Sequence, residues 1–568
     1  MRNLSLALAL LFFASLLPLV GFATRWSAQS GLSHAPEPRM PLFTGLGDYS
    51  RKVTTESELA QRYFDQGLAF LYGFNHEAAV WSFRAAAEAD PNCAMASWGV
   101  AAALGPDNNN FEIPPAAAEL ARTAIAEARP KCGKASVVER AMIDAMSKRY
   151  VNREAQDQWK SDRDYANAMN DLVKAFPGDP DVGALTAEAM MLAGRKGGGK
   201  EKGSPDSKER VVATLEAVLK NSPRHPFALH LWIHAMDDLK RPEKALVEAE
   251  RLRDLAPAIG HLMHMPSHID ICVGRWPEAV MANERAVAAD HAFRRLVPQR
   301  GSHLVYMAHD EHMLVYAAMM QGQSKKATLA SESALGLLPE WEAKFDPGTV
   351  DVFSSMPQEI RMRFGQWDAI LAEPEPGASF PFSRAFRHFA RGISFAAKKK
   401  TSEAKAEQQE FAAARKEVPK DLLFRLHRAT PLLDVAEKML AGEILYRERR
   451  VNEGVAALRS AVACEDKLER ADPPLWMQPV RHALGATLMD AGRYFEAEAV
   501  YREDLKRNPE NGWALYGLCR SLQMQNKKSE AALVRSRFEK AWQYADFKMT
   551  SSCCCLPEPV LDRKLGKH

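Results

Sequence analysis

The chain has almost no net charge. Its 75 Lys and Arg offset 72 Asp and Glu, leaving +3 over 568 residues, so the total makes no case for a nucleic-acid partner. Beta-branched residues are sparse, while Ala, Leu, Glu and Arg are abundant, which argues against a sheet-rich protein and for an all-α one. Long apolar runs are missing beyond the first two dozen residues: no later stretch approaches eighteen apolar residues, the scale of a membrane span. Familiar catalytic signatures are missing as well. There is no GxSxG elbow, phosphate loop, dinucleotide fingerprint or kinase set. GRKGGGKEKGS lacks the GKS or GKT ending of a phosphate loop, and its glycines read as a flexible insertion.

The N-terminus, MRNLSLALALLFFASLLPLVGFATRW, places one Arg before an apolar run. Residues 1–23 read either as a cleaved signal peptide or as a retained anchor. Either way the chain is expected to be exported, secreted or extracytoplasmic, with membrane contact only through 1–23 or a cysteine tail. All eight cysteines follow this segment. Cys93, Cys132, Cys272, Cys464 and Cys519 sit in helical contexts and read as buried thiols. Cys553, Cys554 and Cys555 are consecutive, and a disulfide, lipid attachment or soft-metal contact all remain open.

The rest is repetitive. In QRYFDQGLAFLYGFNHEAAVWSFRAAAEADP, Gly67 lies in a first helix, Ala79 marks a helix crossing, and Pro91 closes the second helix. Gly99 follows Gly67 by 32 residues, and Gly517 follows Gly485 by the same interval. A period of about 32–34 residues with helix, turn, helix and closing proline is the signature of a helical-pair repeat. The pattern resembles the tetratricopeptide repeat (TPR) family at Gly67, Phe70, Ala79, Phe83, Ala86 and Pro91. It does so again at Gly485, Ala497, Tyr501 and Pro509. Weaker matches are Ala245 with Pro257, Ala279 with Ala286, and Ala327 with Ala334. Ser267 and Val315 stand where the first-helix glycine belongs, so those units are degenerate. Phrases such as HMPSHI and NPENGWALYGL also resemble a bacterial-type group of repeat proteins.

The expected architecture is an alpha-alpha superhelix, a TPR-like solenoid. Residues 24–50 form a flexible arm, and 51–371 an N-terminal array with an insertion at 194–210. Residues 372–420 form a linker and charged helix, 421–548 a C-terminal array, and 549–568 a cysteine-containing tail expected to be unstructured after Ser551.

Nine of the 16 histidines fall between residues 230 and 312. Counting back fifteen residues from Ala245, Ala279 and Ala327 gives His230, His264 and His312. Counting back eleven from the first two gives His234 and His268, and eighteen from the last two gives His261 and His309. Residues three or four apart share a helical face. The TPR resemblance implies that these offsets look into one concave groove. His291 and His303 fall off the offsets, and His482 belongs to the far array.

Neutral imidazole is a ligand for transition metals, so His230, His234, His261, His264, His268, His309 and His312 are the candidate metal set, with Cu, Zn or Fe the candidate ions. If they bind metal, retention is expected to fall between pH 7 and 5 as they protonate. Asn108, Asn109, Glu112, Asp270, Asp310 and Glu311 are the candidate groove residues. Asp237 and Asp238 join Asp270, Asp310 and Glu311 as acid or base candidates. Two functions follow: a scaffold taking a protein or peptide in its concave groove, or a metalloprotein, an oxidoreductase or hydrolase, working through residues 230–312.

Overall fold

A computed structural model describes residues 40–151, 158–195, 205–297, 303–342 and 347–556. The 1–23 segment and most of the arm and insertion lie outside these. The described chain is a TPR-like helical superhelix: helix follows helix, each packed on the next, with one two-residue hairpin, Leu423–Phe424 with His427–Arg428. No described helix is long and apolar enough to cross a membrane.

The glycine spacing has a steric cause. Phe83, on the His76–Ala89 helix, is fully buried between Gly67 of Glu58–Tyr72 and Gly99 of Ala94–Ala103, and a Cβ on either glycine would collide with its ring. Tyr501 sits the same way between Gly485 and Gly517. One aromatic wedge therefore needs two bare backbone positions, one in its own repeat and one in the next. Ala79, Ala245, Ala279, Ala327 and Ala497 are all fully buried, as close helix crossings require.

Two apolar cores run along the chain. One spans Met40 to Val297, the other Ile271 to Leu556. They overlap over residues 271–297. Within 372–420 the charged segment is a helix, Thr401–Glu417, packed on Pro381–Ala397. Phe382, Phe386 and Phe389 of Pro381–Ala397 are buried, as is Phe411 of the charged helix. The polar composition around them hid three well-spaced aromatics on a single face.

Residues 552–556 are not the loose tail expected after Ser551, and the rest of that tail, 557–568, lies outside the described residues. Residues 546–556 pack back across the second array. Tyr516 donates to the Thr550 carbonyl at 3.1 Å, Ser552 donates to the His482 carbonyl at 3.0 Å, and Arg447 donates to the Cys555 carbonyl. Short polar runs of this kind read as tail because their partners are carbonyls, which the sequence does not display. All eight cysteines are free thiols. Trp98, Trp232, Trp476 and Trp513 are buried in the packing.

Candidate metal centre

His230 and His234 lie one turn apart on Pro226–Asp238, a helix started by Pro226 and capped by the His225 ring, which accepts from Ala228 N–H at 3.1 Å. His261 and His264 lie on the short Gly260–His264 helix. Pro266 opens the next, Pro266–Val273, which carries His268. Met265, between them, is itself right-handed helical, so His264 and His268 keep one-turn spacing across the break. His309 comes from His303–Met320, which packs on the His261 helix.

Six of the seven predicted imidazoles converge as two triads. His230, His234 and His261 place one ring nitrogen each within 4.8 Å of one another, and so do His264, His268 and His309. The triads adjoin through His261 and His264, whose ring centroids are 5.7 Å apart.

Two contacts fix the tautomers. His230 Nδ1 lies 2.7 Å from the Tyr72 carbonyl oxygen, which can only accept, so Nδ1 carries the proton. His264 Nδ1 lies 2.6 Å from Asn283 Oδ1, and Asn283 Nδ2 donates to the Ala279 carbonyl, which sets the amide's orientation. Burial holds both rings below the usual imidazole range, His230 at about 3. A neutral ring protonated at Nδ1 presents a lone pair at Nε2. Those lone pairs face His234 Nε2 at 3.1 Å and His268 Nε2 at 2.9 Å. Each pair therefore needs a proton or a cation between its nitrogens. Anchoring Nδ1 on a carbonyl is how metal-ligating histidines are oriented.

His261 adds a second sign. It is buried at 3% exposure, and neither ring nitrogen has a hydrogen-bond partner among the described residues. Burying an imidazole without partners costs roughly 1–3 kcal/mol per group. Phe74, Tyr306 and His230 pack around it with centroids at 5.4, 4.9 and 5.0 Å.

His234, His268 and His309 also form part of the wall of a cavity of about 380 Å³. Asn109, Asp237 and Asp238, all predicted, line it, as do Lys240, Arg425, Arg470 and Asp472. Sequence reasoning missed Arg425, Arg470 and Asp472, which arrive from more than a hundred residues downstream. Arg425 stands at the hairpin tip with φ 57°. Asp472 Oδ2 is 3.6 Å from His268 Nδ1, and Arg470 pairs with Asp237. Burial, then the adjacent Asp472, pushes the Asp237 carboxyl up to about 7.

Other predicted residues fall elsewhere. His312 is not in either triad: three residues beyond His309 is about 60° round the helix, and its ring packs on Phe353 at 5.0 Å and Phe424 at 6.1 Å. Asp270 is buried against Arg253, with oxygens 2.9 and 3.2 Å from the guanidinium. Glu311 lies 3.6 Å from His291, away from the cavity. Glu112 is exposed, and Asn108 is buried without lining the cavity. Asp310 is buried 3.3 Å from His264 Nδ1 and groups with His261 and His264, so it flanks the centre. Cys272 touches Asp237 and Arg470, and burial first, then Asp472 and Asp237, pushes its thiol up to about 12.

No family model and no curated protein sequence matches the chain. Solved structures with a likeness include the human IFIT1 dimer with m7Gppp-AAAA, at 11% identity and TM-score 0.32, over 77% of this chain and 90% of that one. Yeast Tom70 has 11% identity and TM-score 0.27, over 84% and 92%. The APC/C hetero-tetramer Cut9–Hcn1 has 11% identity and TM-score 0.28, over 87% and 76%. At those scores none of them bears on what this chain binds.

Proposed function

We propose that this TPR-like superhelix is a metalloprotein holding two transition-metal ions, one on each histidine triad, beside a polar cavity that admits a small substrate. The observation that carries this reading is the convergence of six imidazoles as two triads, in which His230 and His264, each held at Nδ1 by a carbonyl oxygen, turn Nε2 toward a second histidine nitrogen. An all-imidazole donor set suits Cu or Zn best, with Fe next. Three protein nitrogens per ion would leave coordination positions free, and the second triad's contact with the cavity gives such a position access to solvent and substrate. Oxidation and hydrolysis both remain within the chemistry such a centre supplies. Asp237 is placed on the cavity wall to exchange a proton near neutral pH.

The scaffold reading receives less support. The first helices that would present a groove in the second array are crossed by the chain's own residues 546–556.

Equilibrium dialysis of untagged protein against Cu²⁺ or Zn²⁺ tests the proposal. Two ions should bind per chain, His230→Ala should retain one, and His264→Ala should retain the other. Unchanged uptake in both folded variants would refute it.

A further inference from the structure

The tail that crosses the second array brings two cysteines against a buried carboxylate. Glu443, on Thr430–Arg447, is 1% exposed, and neither of its oxygens takes a hydrogen bond among the described residues. Its nearest cation is Arg447, with Nη2 at 3.6 Å from Oε2. Cys553 and Cys555 are buried, and each places Sγ within 4.8 Å of the other and of a Glu443 oxygen. The Cys555 N–H donates to Cys553 Sγ at 3.3 Å. Cys554 turns away, its thiol donating to the Arg363 carbonyl at 3.2 Å. The alternation Cys553 in, Cys554 out, Cys555 in explains why three adjacent cysteines supply only two donors here.

We propose that Glu443, Cys553 and Cys555 form a separate Zn²⁺ site that fastens the tail to the second array. Two thiolates, one carboxylate, Zn²⁺ and Arg447 together sum to zero charge, which a buried site requires. Zn²⁺ accepts both sulfur and carboxylate oxygen, whereas a carboxylate is a poor partner for softer monovalent ions. Binding would displace the thiol protons into solvent. The site shares no residue with the histidine triads and stands or falls apart from them.

The test uses the full chain, reduced and metal-free, with Co²⁺ as the probe for Zn²⁺. One Co²⁺ should produce a thiolate-to-metal charge-transfer band that Zn²⁺ abolishes by competition. Cys553→Ser with Cys555→Ser should remove the band, and Cys554→Ser should keep it. Glu443→Gln, which leaves both sulfurs in place, should weaken Co²⁺ binding by about tenfold or more. His264→Ala with His268→Ala should leave the band intact. Absence of any thiolate band in the reduced wild-type protein, or a band untouched by Glu443→Gln, would overturn the assignment.

Discussion

At the scale of single residues, His261 separates a metal ligand from a packing residue. Its ring nitrogens are buried and unpartnered among the described residues, so removing them should relieve the metal-free protein while depriving the first triad of a ligand. His261→Leu, close in volume, is predicted to leave the chelated protein as stable as wild type or more stable by up to about 2 kcal/mol. The same change should remove one bound ion. Denaturation and metal analysis of the same sample check both halves, and a less stable apo variant with full metal would speak for packing.

Protonation belongs to this scale too. The sequence alone places metal loss between pH 7 and 5, and burial of the rings argues for a more acidic window. It lowers His230 to about 3 and holds His261, His264 and His309 well below the ordinary imidazole value. These rings remain neutral, and able to ligate, at pH values where an exposed histidine is charged. Protons compete only as pH falls through the lowered values. Bound metal measured after dialysis should therefore hold better between pH 7 and 5 than an exposed histidine site would, and be lost in more acidic buffer. Loss centred near 6.5 would mean the ligands are not the buried rings.

At the scale of helices, the repeat was legible because its spacing is a steric rule. Gly485 and Gly517 recur 32 residues apart since both must clear Tyr501. Gly485→Ala is predicted to cost about 1–3 kcal/mol by overpacking that ring, read as a lowered Tm, and Gly485→Ala with Tyr501→Leu should recover part of it. No loss in the single variant would mean the wedge is not tight. The same ruler found the histidines, because equal offsets from a crossing alanine put side chains on equivalent faces of neighbouring first helices. It failed at His312, whose ring packs on Phe353 and Phe424 rather than joining a triad. Asp270 is a candidate for its carboxylate alone, and one sequence does not show that Arg253 already claims it.

At the scale of the whole molecule, the cavity joins parts of the chain that no local pattern links. His234 and Asp237 come from the Pro226–Asp238 helix, and Arg425, Arg470 and Asp472 from the hairpin and a loop about two hundred residues further along the chain. In the sequence Asp472 sits in RADPP, an ordinary turn composition, and only the path of the superhelix carries it to His268. The tail is similar: three cysteines near the end left their chemistry open, and the packing against Glu443 gives two of them a shared partner. Composition and periodicity thus reached the fold and most of the histidine set. The cavity's opposite wall depended on contacts spanning more than a hundred residues, which one sequence does not encode in readable form.

The central claim is that the two histidine triads hold metal, and the most direct test is an anomalous difference map from crystals of metal-loaded protein, recorded at the metal's absorption edge. The account predicts two peaks, one within about 2.0–2.2 Å of nitrogens from His230, His234 and His261, the other equally placed on His264, His268 and His309. A loaded crystal with no peak at either triad, the rings still paired nitrogen to nitrogen, would contradict it.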